Sequence, residues 1–386
     1  MSQIKTITAM SAYAMAGNTP LVVQPMIVGA MVDLRGFTER QAGIVAAVEL
    51  TGLTLGILCL IGAIGRFRRS SFALLAVTAI VAANVATCFV SDFQWVLPLR
   101  FLSGVGAASA FCISSSLASS SPKPEHSFAI VNAISIAYSG VLTLLSPFIL
   151  QAHGLPGIML TLSVITLLAL LVIPWIPPQV MTARPSRVTE RTAKVPWAIP
   201  APILALLAMM LLLYTGHGAI WAFQERIGIA DGLTEHAVGK WLGMSMLLWG
   251  VGGSLLARLL SLSLGRTVPQ LISLGASCIA VLLLVFGSTA FAFATSSGLI
   301  ALSWFYGLPY QMGLLAAHDP TGRAALAGTM MSTAGMAAGP AIAAFLVVEH
   351  AHWPIGVFAG VCYLCALAIA VPSARGVARM GNARAA

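Results

Sequence analysis

Gly36-Phe37-Thr38-Glu39-x-x-Ala42-Gly43 returns in the second half of the chain as Gly232-Leu233-Thr234-Glu235-x-x-Val238-Gly239. Each copy sits between two long apolar runs. Asp33 and Asp231 lead into the copies, and glycines follow them at Gly52 and Gly56 and at Gly250, Gly252 and Gly253. An echo at about half the chain length points to two homologous halves and not to a stack of short solenoid repeats.

The runs themselves decide the solvent. An apolar stretch of about 20 residues crosses a bilayer as a helix. Such windows fall at 9–32, 42–65, 72–91, 95–118, 127–150, 155–176, 203–224, 237–257, 269–287, 296–316, 324–348 and 354–373. They are too long, and alternate too little, for barrel strands. Only 8% of the residues are charged, against about 25% in a soluble domain, which excludes an ordinary cytosolic protein. The expected fold is an all-α integral membrane protein with 12 transmembrane helices in two six-helix bundles, 1–176 and 198–386. Between them, 177–197 carries Pro177, Pro178, Pro185 and Pro196 with several basic residues, and reads as an exposed cytoplasmic linker.

A net charge of +9 would suggest nucleic-acid binding in a soluble protein. Here its placement matters more. With the N-terminus inside, Lys5, Arg66, Arg68, Arg69, Lys123, the basic linker residues, Arg258, Arg266, Arg323 and the C-terminal arginines share one side. Only Arg35, Arg40, Arg226 and Lys240 fall on the other. The positive-inside rule then puts both termini in the cytoplasm. The basic excess reports topology and contact with the lipid bilayer, with no nucleic-acid partner. The cell (inner or plasma) membrane is the expected location. The six cysteines all lie within apolar runs, so no disulfide framework is implied, and Cys362-x-x-Cys365 reads as packing. No Gly-x-x-x-x-Gly-Lys-Ser/Thr phosphate loop occurs, which argues against ATP-driven pumping. No enzyme activity, cofactor or metal is expected; His350-x-His352 beside Glu349 reads as a solvated loop.

Several short motifs add to this. Gly62-Ala63-Ile64-Gly65-Arg66-Phe67-Arg68-Arg69 keeps the basic cluster of a loop signature, Gly-x-x-x-Asp-Arg-x-Gly-Arg-Arg, with Gly65 at the Asp position. Arg100-Phe101-Leu102-Ser103-Gly104-Val105-Gly106-Ala107-Ala108 matches Arg-x-x-x-Gly-x-Gly-x-Ala, a fourth-helix signature. Gly335-x-x-x-Gly339-Pro340 is similar to the Gly-Pro pattern that drug antiporters carry in their fifth helix, where this chain has only Gly140 and Pro147. Together with the twelve runs and the half-repeat, these residues resemble the major facilitator superfamily over essentially the whole chain. The resemblance implies a monomeric secondary transporter working by alternating access. Helices 1, 4, 7 and 10 would line its cavity, and helices 3, 6, 9 and 12 would face lipid.

Three ionisable residues fall inside the apolar runs: Glu49 in the second, Arg100 in the fourth and His217 in the seventh. Exposing a charge to lipid costs about 2.5 kcal/mol or more, so these side chains should face protein or an aqueous cavity. Glu49, Arg100 and His217 are therefore the proton-coupling candidates, with the proton as coupling ion; a static Glu49–Arg100 ion pair is the alternative. Candidate substrate contacts are Asn18 and Gln24 in the first run, Arg100 in the fourth, Tyr214, His217 and Trp221 on one face of the seventh, and Trp304, Tyr310 and Gln311 in the tenth. Interfacial aromatics and interhelical hydrogen bonds would explain the same residues. Gating and close helix approach fall to Gly65, Arg66, Arg68 and Arg69 in the loop and to Gly104, Gly335, Gly339 and Pro340 in the helices. The expected function is proton-coupled transport of a small organic solute, an organic anion or a polar aromatic. Proton-antiport drug efflux and a non-transporting sensor on the same fold are the alternatives.

Overall fold

The computed structural model describes residues 3–63, 69–119, 121, 124–176, 200–260, 263, 265, 267–318, 323–347 and 351–385. They are organised entirely around helices: α1 (Gln3–Gly17), α2 (Thr19–Val22), α3 (Gln24–Arg35), α4 (Glu39–Ala63), α5 (Arg69–Phe89), α6 (Phe93–Ser119) and α7 (Pro124–Leu168) in the first half. The second half holds α8 (Ala201–Ala230), α9 (Glu235–Met244), α10 (Val251–Leu260), α11 (Thr267–Phe286), α12 (Ala290–His318), α13 (Arg323–Leu346) and α14 (Trp353–Ala385). Gly154, at φ 61° and ψ −161°, breaks α7, and a 3-10 segment, Ala169–Trp175, continues it. A π segment, Ser245–Gly250, joins α9 to α10. Among the described residues, ten helical stretches are long and apolar enough to cross a membrane.

The repeated motif is a helix–turn–helix device. Gly36 adopts φ 68°, where a Cβ would be strained, and its N–H and that of Phe37 close back on the Val32 and Met31 carbonyls. Two residues on, Thr38 Oγ accepts from the Gln41 N–H at 3.2 Å, while Gln41 Oε1 takes the Thr38 N–H at 2.9 Å, a reciprocal cap. Gly232 repeats the first part at φ 83°, and Thr234 caps α9 by accepting from Ala237. The sequence echo thus marks two turns of the same construction, one in each half.

Small residues set the helix spacing within each half. On α4, a Cβ at Gly52 or Gly56 would press into the Phe101 carbonyl or the Ala108 methyl of α6. In return, a Cβ at Gly104 would overlap the Glu49 carbonyl oxygen and reach Leu53 N at 2.8 Å. In the second half, Gly335 and Gly339 of α13 lie on the α8 backbone, where a Cβ at Gly335 would meet Leu211 O at 2.7 Å. With no hydrophobic drive between helices in lipid, backbone approach of this kind supplies the packing.

Arg35 ties the end of α3 to its own half. Its guanidinium donates to the carbonyls of Cys88 (2.8 Å) and Val90 (3.1 Å) and to Ser91 Oγ (2.8 Å), covering the exposed C-terminal carbonyls of α5. Among the described residues the two halves meet chiefly where α3 packs on α8, α4 on α13, and α7 on α9 and the π segment that follows it.

Three sequence boundaries change. The first run is not one helix but three pieces, for reasons given below. The runs 127–150 and 155–176 are joined through Gly154 with no intervening loop. The seventh run does not stop at Gln224: α8 continues to Ala230 and buries Glu225 and Arg226, at 2% and 7% exposure. The proposed linker 177–197 and the loop residues Gly65, Arg66 and Arg68 lie outside the described residues, as does the side chain of Arg69.

The glycine seam gives a direct test. Gly104→Ala forces backbone apart and should cost about 1–3 kcal/mol. Gly252→Ala, where a Cβ meets nothing within 4 Å, should be neutral or stabilising by up to about 1 kcal/mol. Thermal unfolding of the two purified variants should place Gly104→Ala below, and Gly252→Ala at or above, the parent.

Candidate functional site

Prolines decide the geometry of the first transmembrane stretch. Pro20 and Pro25 have no N–H, so the Ala16 and Leu21 carbonyls four residues earlier lose their helical donors. Each is recovered differently. Thr19 Oγ1 donates to Ala16 O at 2.7 Å from within the same stretch. The Trp221 indole, on α8 of the other half, donates to Leu21 O at 2.9 Å. At the second break Val23 leaves helical geometry, and Thr143 Oγ1 of α7 donates to Val22 O at 2.8 Å. A kink written by local sequence is therefore held by two distant side chains, one of them across the interface between halves. Beside it, Gln24 is 2% exposed, and neither its Oε1 nor its Nε2 has a hydrogen-bond partner. Asn18 Nδ2 turns back to the Ala14 carbonyl at 3.0 Å.

Glu49 and Arg100 come together inside the first half. Arg100, 1% exposed, donates from Nη1 to Glu49 Oε1 at 3.3 Å. Its Nη2 donates to Asn84 Oδ1 at 2.8 Å and Thr87 Oγ1 at 3.0 Å, both on α5, and the Met159 sulfur also lies against Nη1. The guanidinium is thus held by α5 and α7 as well as by the carboxylate. The two α5 partners escape a charge-based reading because neither is ionisable. They are 0% and 1% exposed on a helix whose Leu74, Leu75 and Phe89 are exposed, and no pattern in the sequence marks them out.

The second half assembles an aromatic and amide cluster. Tyr214 donates its hydroxyl to Gln311 Oε1 at 3.3 Å. The His217 ring bonds the Leu213 carbonyl through Nδ1 at 2.9 Å and packs edge-on against Trp304 (5.9 Å) and Tyr363 (5.3 Å). Trp304 stacks on Phe305 and stands edge-on to Tyr214 at 6.3 Å. His217 Nε2, Gln311 Nε2 and the Tyr363 hydroxyl are buried without a well-formed hydrogen bond. Four predicted contacts, Tyr214, His217, Trp304 and Gln311, therefore form one group, to which the structure adds Tyr363 of α14. Tyr310 points elsewhere, donating to the Ala257 carbonyl of α10 at 3.2 Å and packing on Tyr306. Trp221 lies at the α1–α3 break. His217 bonds within its own half, whereas Glu49 and Arg100 pair with each other in the other half.

A second charged group lies at the end carrying the two repeated turns. Arg226 of α8 reaches across to Asp33 of α3, donating from Nη1 to Oδ1 at 2.9 Å and from Nη2 to Oδ2. The same guanidinium donates to the neighbouring Glu225, from Nε to Oε2 at 2.6 Å and from Nη2 to Oε1 at 2.9 Å. Glu225 fits only because Gly29 faces it: a Cβ at Gly29 would overlap the carboxylate. A cavity of about 310 Å³ opens here, lined by Asp33, Glu225, Glu235 and His236 among others. Nearby, the His352 ring meets Glu39 Oε2 at 2.7 Å, linking the segment before α14 to the start of α4. These residues escaped the sequence reading, which counted only three ionisable groups within the runs. Charge counts against a hydropathy window, so the window closed at Gln224, one residue short of a pair whose counter-charge is on α3. The hint available was Asp33, placed inside the helix that Gly36 terminates.

The comparisons agree with this architecture. The sequence profile described as Major Facilitator Superfamily matches residues 6–333. No curated protein matches the chain. Among solved structures, that of the nucleoside transporter NupG superposes with a TM-score of 0.75 at 11% identity, covering 94% of this chain and 98% of the other. A D-xylose-proton symporter superposes with a TM-score of 0.72 at 14% identity, covering 93% and 95%. At such identities the likeness is one of fold. With the profile spanning most of the sequence, the chain belongs to the Major Facilitator Superfamily of multi-pass membrane transporters.

Proposed function

We propose that this protein is a proton-coupled secondary transporter that moves a small, polar, aromatic solute by alternating access. It works as a monomer in the cell membrane. Taking α1–α3 as one broken span and α7 as two spans hinged at Gly154 gives twelve crossings in two bundles. The distribution of basic residues supports both termini, and 177–197, on the cytoplasmic side. The turns at Gly36 and Gly232 then face outward.

One observation carries the substrate class: His217 Nε2, Gln311 Nε2 and the Tyr363 hydroxyl are buried without a well-formed hydrogen bond in one group with the rings of Tyr214 and Trp304, and both amide atoms of Gln24, at the break in the first stretch, are buried unpaired. Leaving a buried donor or acceptor unpaired costs about 1–3 kcal/mol. Such a cost is tolerated where a solute completes the bonds, and an amide–aromatic set suits a planar polar molecule. Both Nη groups of Arg100 are committed to Glu49, Asn84 and Thr87, leaving only a buried Nε, which favours a neutral solute over the organic anion. The fold neighbours that carry a nucleoside and D-xylose are consistent with that class.

Glu49 is our proton carrier. Its contact to Arg100 is a single bond of 3.3 Å, whereas Asn84 and Thr87 hold the guanidinium independently. Protonating Glu49 therefore leaves Arg100 hydrogen-bonded in place. An ion pair serving only as a lock would be expected to be tighter and two-pronged.

Everted vesicles loaded under a pH gradient test the function. A gradient directed along uptake should drive accumulation of neutral polar aromatics, with nucleosides and free bases as the first panel. Gradient-stimulated exit would mean drug-type antiport, and no flux with any solute would reject transport of this class. Glu49→Gln should abolish gradient-driven accumulation yet retain solute exchange. Arg100→Ala should instead unfold readily, losing about 3–5 kcal/mol, because it strands a buried carboxylate. Gradient-driven accumulation by Glu49→Gln at the parent's level would remove Glu49 from the coupling.

Topology has its own measurement. Thr38→Cys and Thr234→Cys, both at exposed positions, should react with an impermeant thiol reagent on intact cells, whereas Arg187→Cys should not. Labelling of Arg187→Cys from outside would invert the arrangement.

A further inference from the structure

Arg226 faces two carboxylates, and they belong to different halves. Asp33 is on α3, across the interface; Glu225 is on α8, next to Arg226 itself. With both ionised, the triad holds one more negative than positive charge. Its two ends differ in exposure: the Glu225 side chain is 2% exposed and the Asp33 side chain 43%. The bond that spans the halves is therefore the wetter one, and the bond within α8 is the dry one.

We infer that Arg226 is a shared latch: the transporter opens outward by releasing Asp33 while Glu225 keeps the guanidinium paired. This rests on the alternating-access reading above. In the structure the contact is closed, with Gly29 of α3 fitted against the Glu225 carboxylate and Trp221, a turn earlier on α8, donating to Leu21 O of α2. To open, the halves must part here. A lone arginine would then lose its only counter-charge, and stripping a buried charge of its partner is strongly unfavourable. Glu225 removes that obstacle, since its two bonds to Arg226 lie within one helix and survive separation. Glu225 is thus a positioning residue for the cycle: it touches no solute, but sets how readily the outer contact breaks.

Its opposite, Asp33, is the residue whose charge holds the contact shut. The two carboxylates should therefore act with opposite sign. Asp33→Asn removes the cross-interface ion pair and leaves Arg226 satisfied, so the outward-open population should rise. Glu225→Gln removes the resident counter-charge, so Arg226 depends wholly on Asp33. The same change removes the excess negative charge of the closed triad. Both effects favour closure.

Spin labels at Leu34→Cys on α3 and Ala230→Cys on α8, both exposed, would read this directly as distance distributions in the full-length protein, with the six native cysteines replaced by serine. Relative to the parent, Asp33→Asn should enlarge the long-distance population several-fold. Glu225→Gln should diminish it several-fold and slow transport correspondingly. Should Glu225→Gln fold poorly, Glu225→Asp serves in its place; its shorter reach weakens the resident pair and should move the distances the same way. If both carboxylate variants shift the distances in the same direction, or only Asp33→Asn moves them, the latch is not shared and the inference fails. A parent with one distance population that neither variant moves would overturn alternating access as well.

Discussion

In a chain with so few charges, every buried polar group must find its partner inside the protein, because lipid offers none. That constraint governs most of what is distinctive here. It turns the apolar runs into helices, whose backbones satisfy themselves, and it leaves visible the few places where they do not. Pro25 is the clearest. By withholding one N–H it exposes the Leu21 carbonyl, and the answer comes from Trp221 in the opposite half. A local covalent fact thereby becomes a contact between the two halves.

The same accounting explains the charged residues. Arg100 is surrounded by a carboxylate from α4 and an amide and a hydroxyl from α5, so its charge sits dry without being stranded. Arg226 solves the problem in another way, by forking to two carboxylates at once. Both amide atoms of Gln24, His217 Nε2 and Gln311 Nε2 lack such solutions. Other buried atoms, such as Ser103 Oγ and Ser135 Oγ, also lack partners, but those of His217 and Gln311 are gathered in one aromatic group, which is why we read that group as the place for a transported molecule.

Hydropathy located the helices because burial in lipid and apolar sequence are nearly the same quantity. The Gly36 and Gly232 turns were legible too, since a positive φ followed by a threonine cap is chemistry confined to a few neighbouring residues. What escaped were features that depend on a partner far along the chain. Glu225 and Arg226 read as the start of a loop because charge normally ends an apolar helix; only Asp33, on α3, makes it possible to bury them. Asn84 and Thr87 were passed over because uncharged residues on a peripheral helix give no warning that they will face an arginine. Trp221 was grouped with Tyr214 and His217 on one face of its helix, but its partner is a backbone carbonyl, a group that every residue has and no sequence pattern singles out. Likewise Tyr310 and Gln311 are adjacent in sequence, and helical geometry sends them to different neighbours.

Arg35 has a mechanical consequence. By gripping the last carbonyls of α5, it fastens the tip of α3 to the rim of the first half. The Asp33 side chain lies two residues from that anchor, so the tip is poorly suited to swing as a separate arm. Movement at the Asp33–Arg226 contact is then transmitted to the first half as a whole, in the way a handle riveted to a door moves the door. The hinge for such a motion must lie away from this rim, toward the opposite ends of the helices.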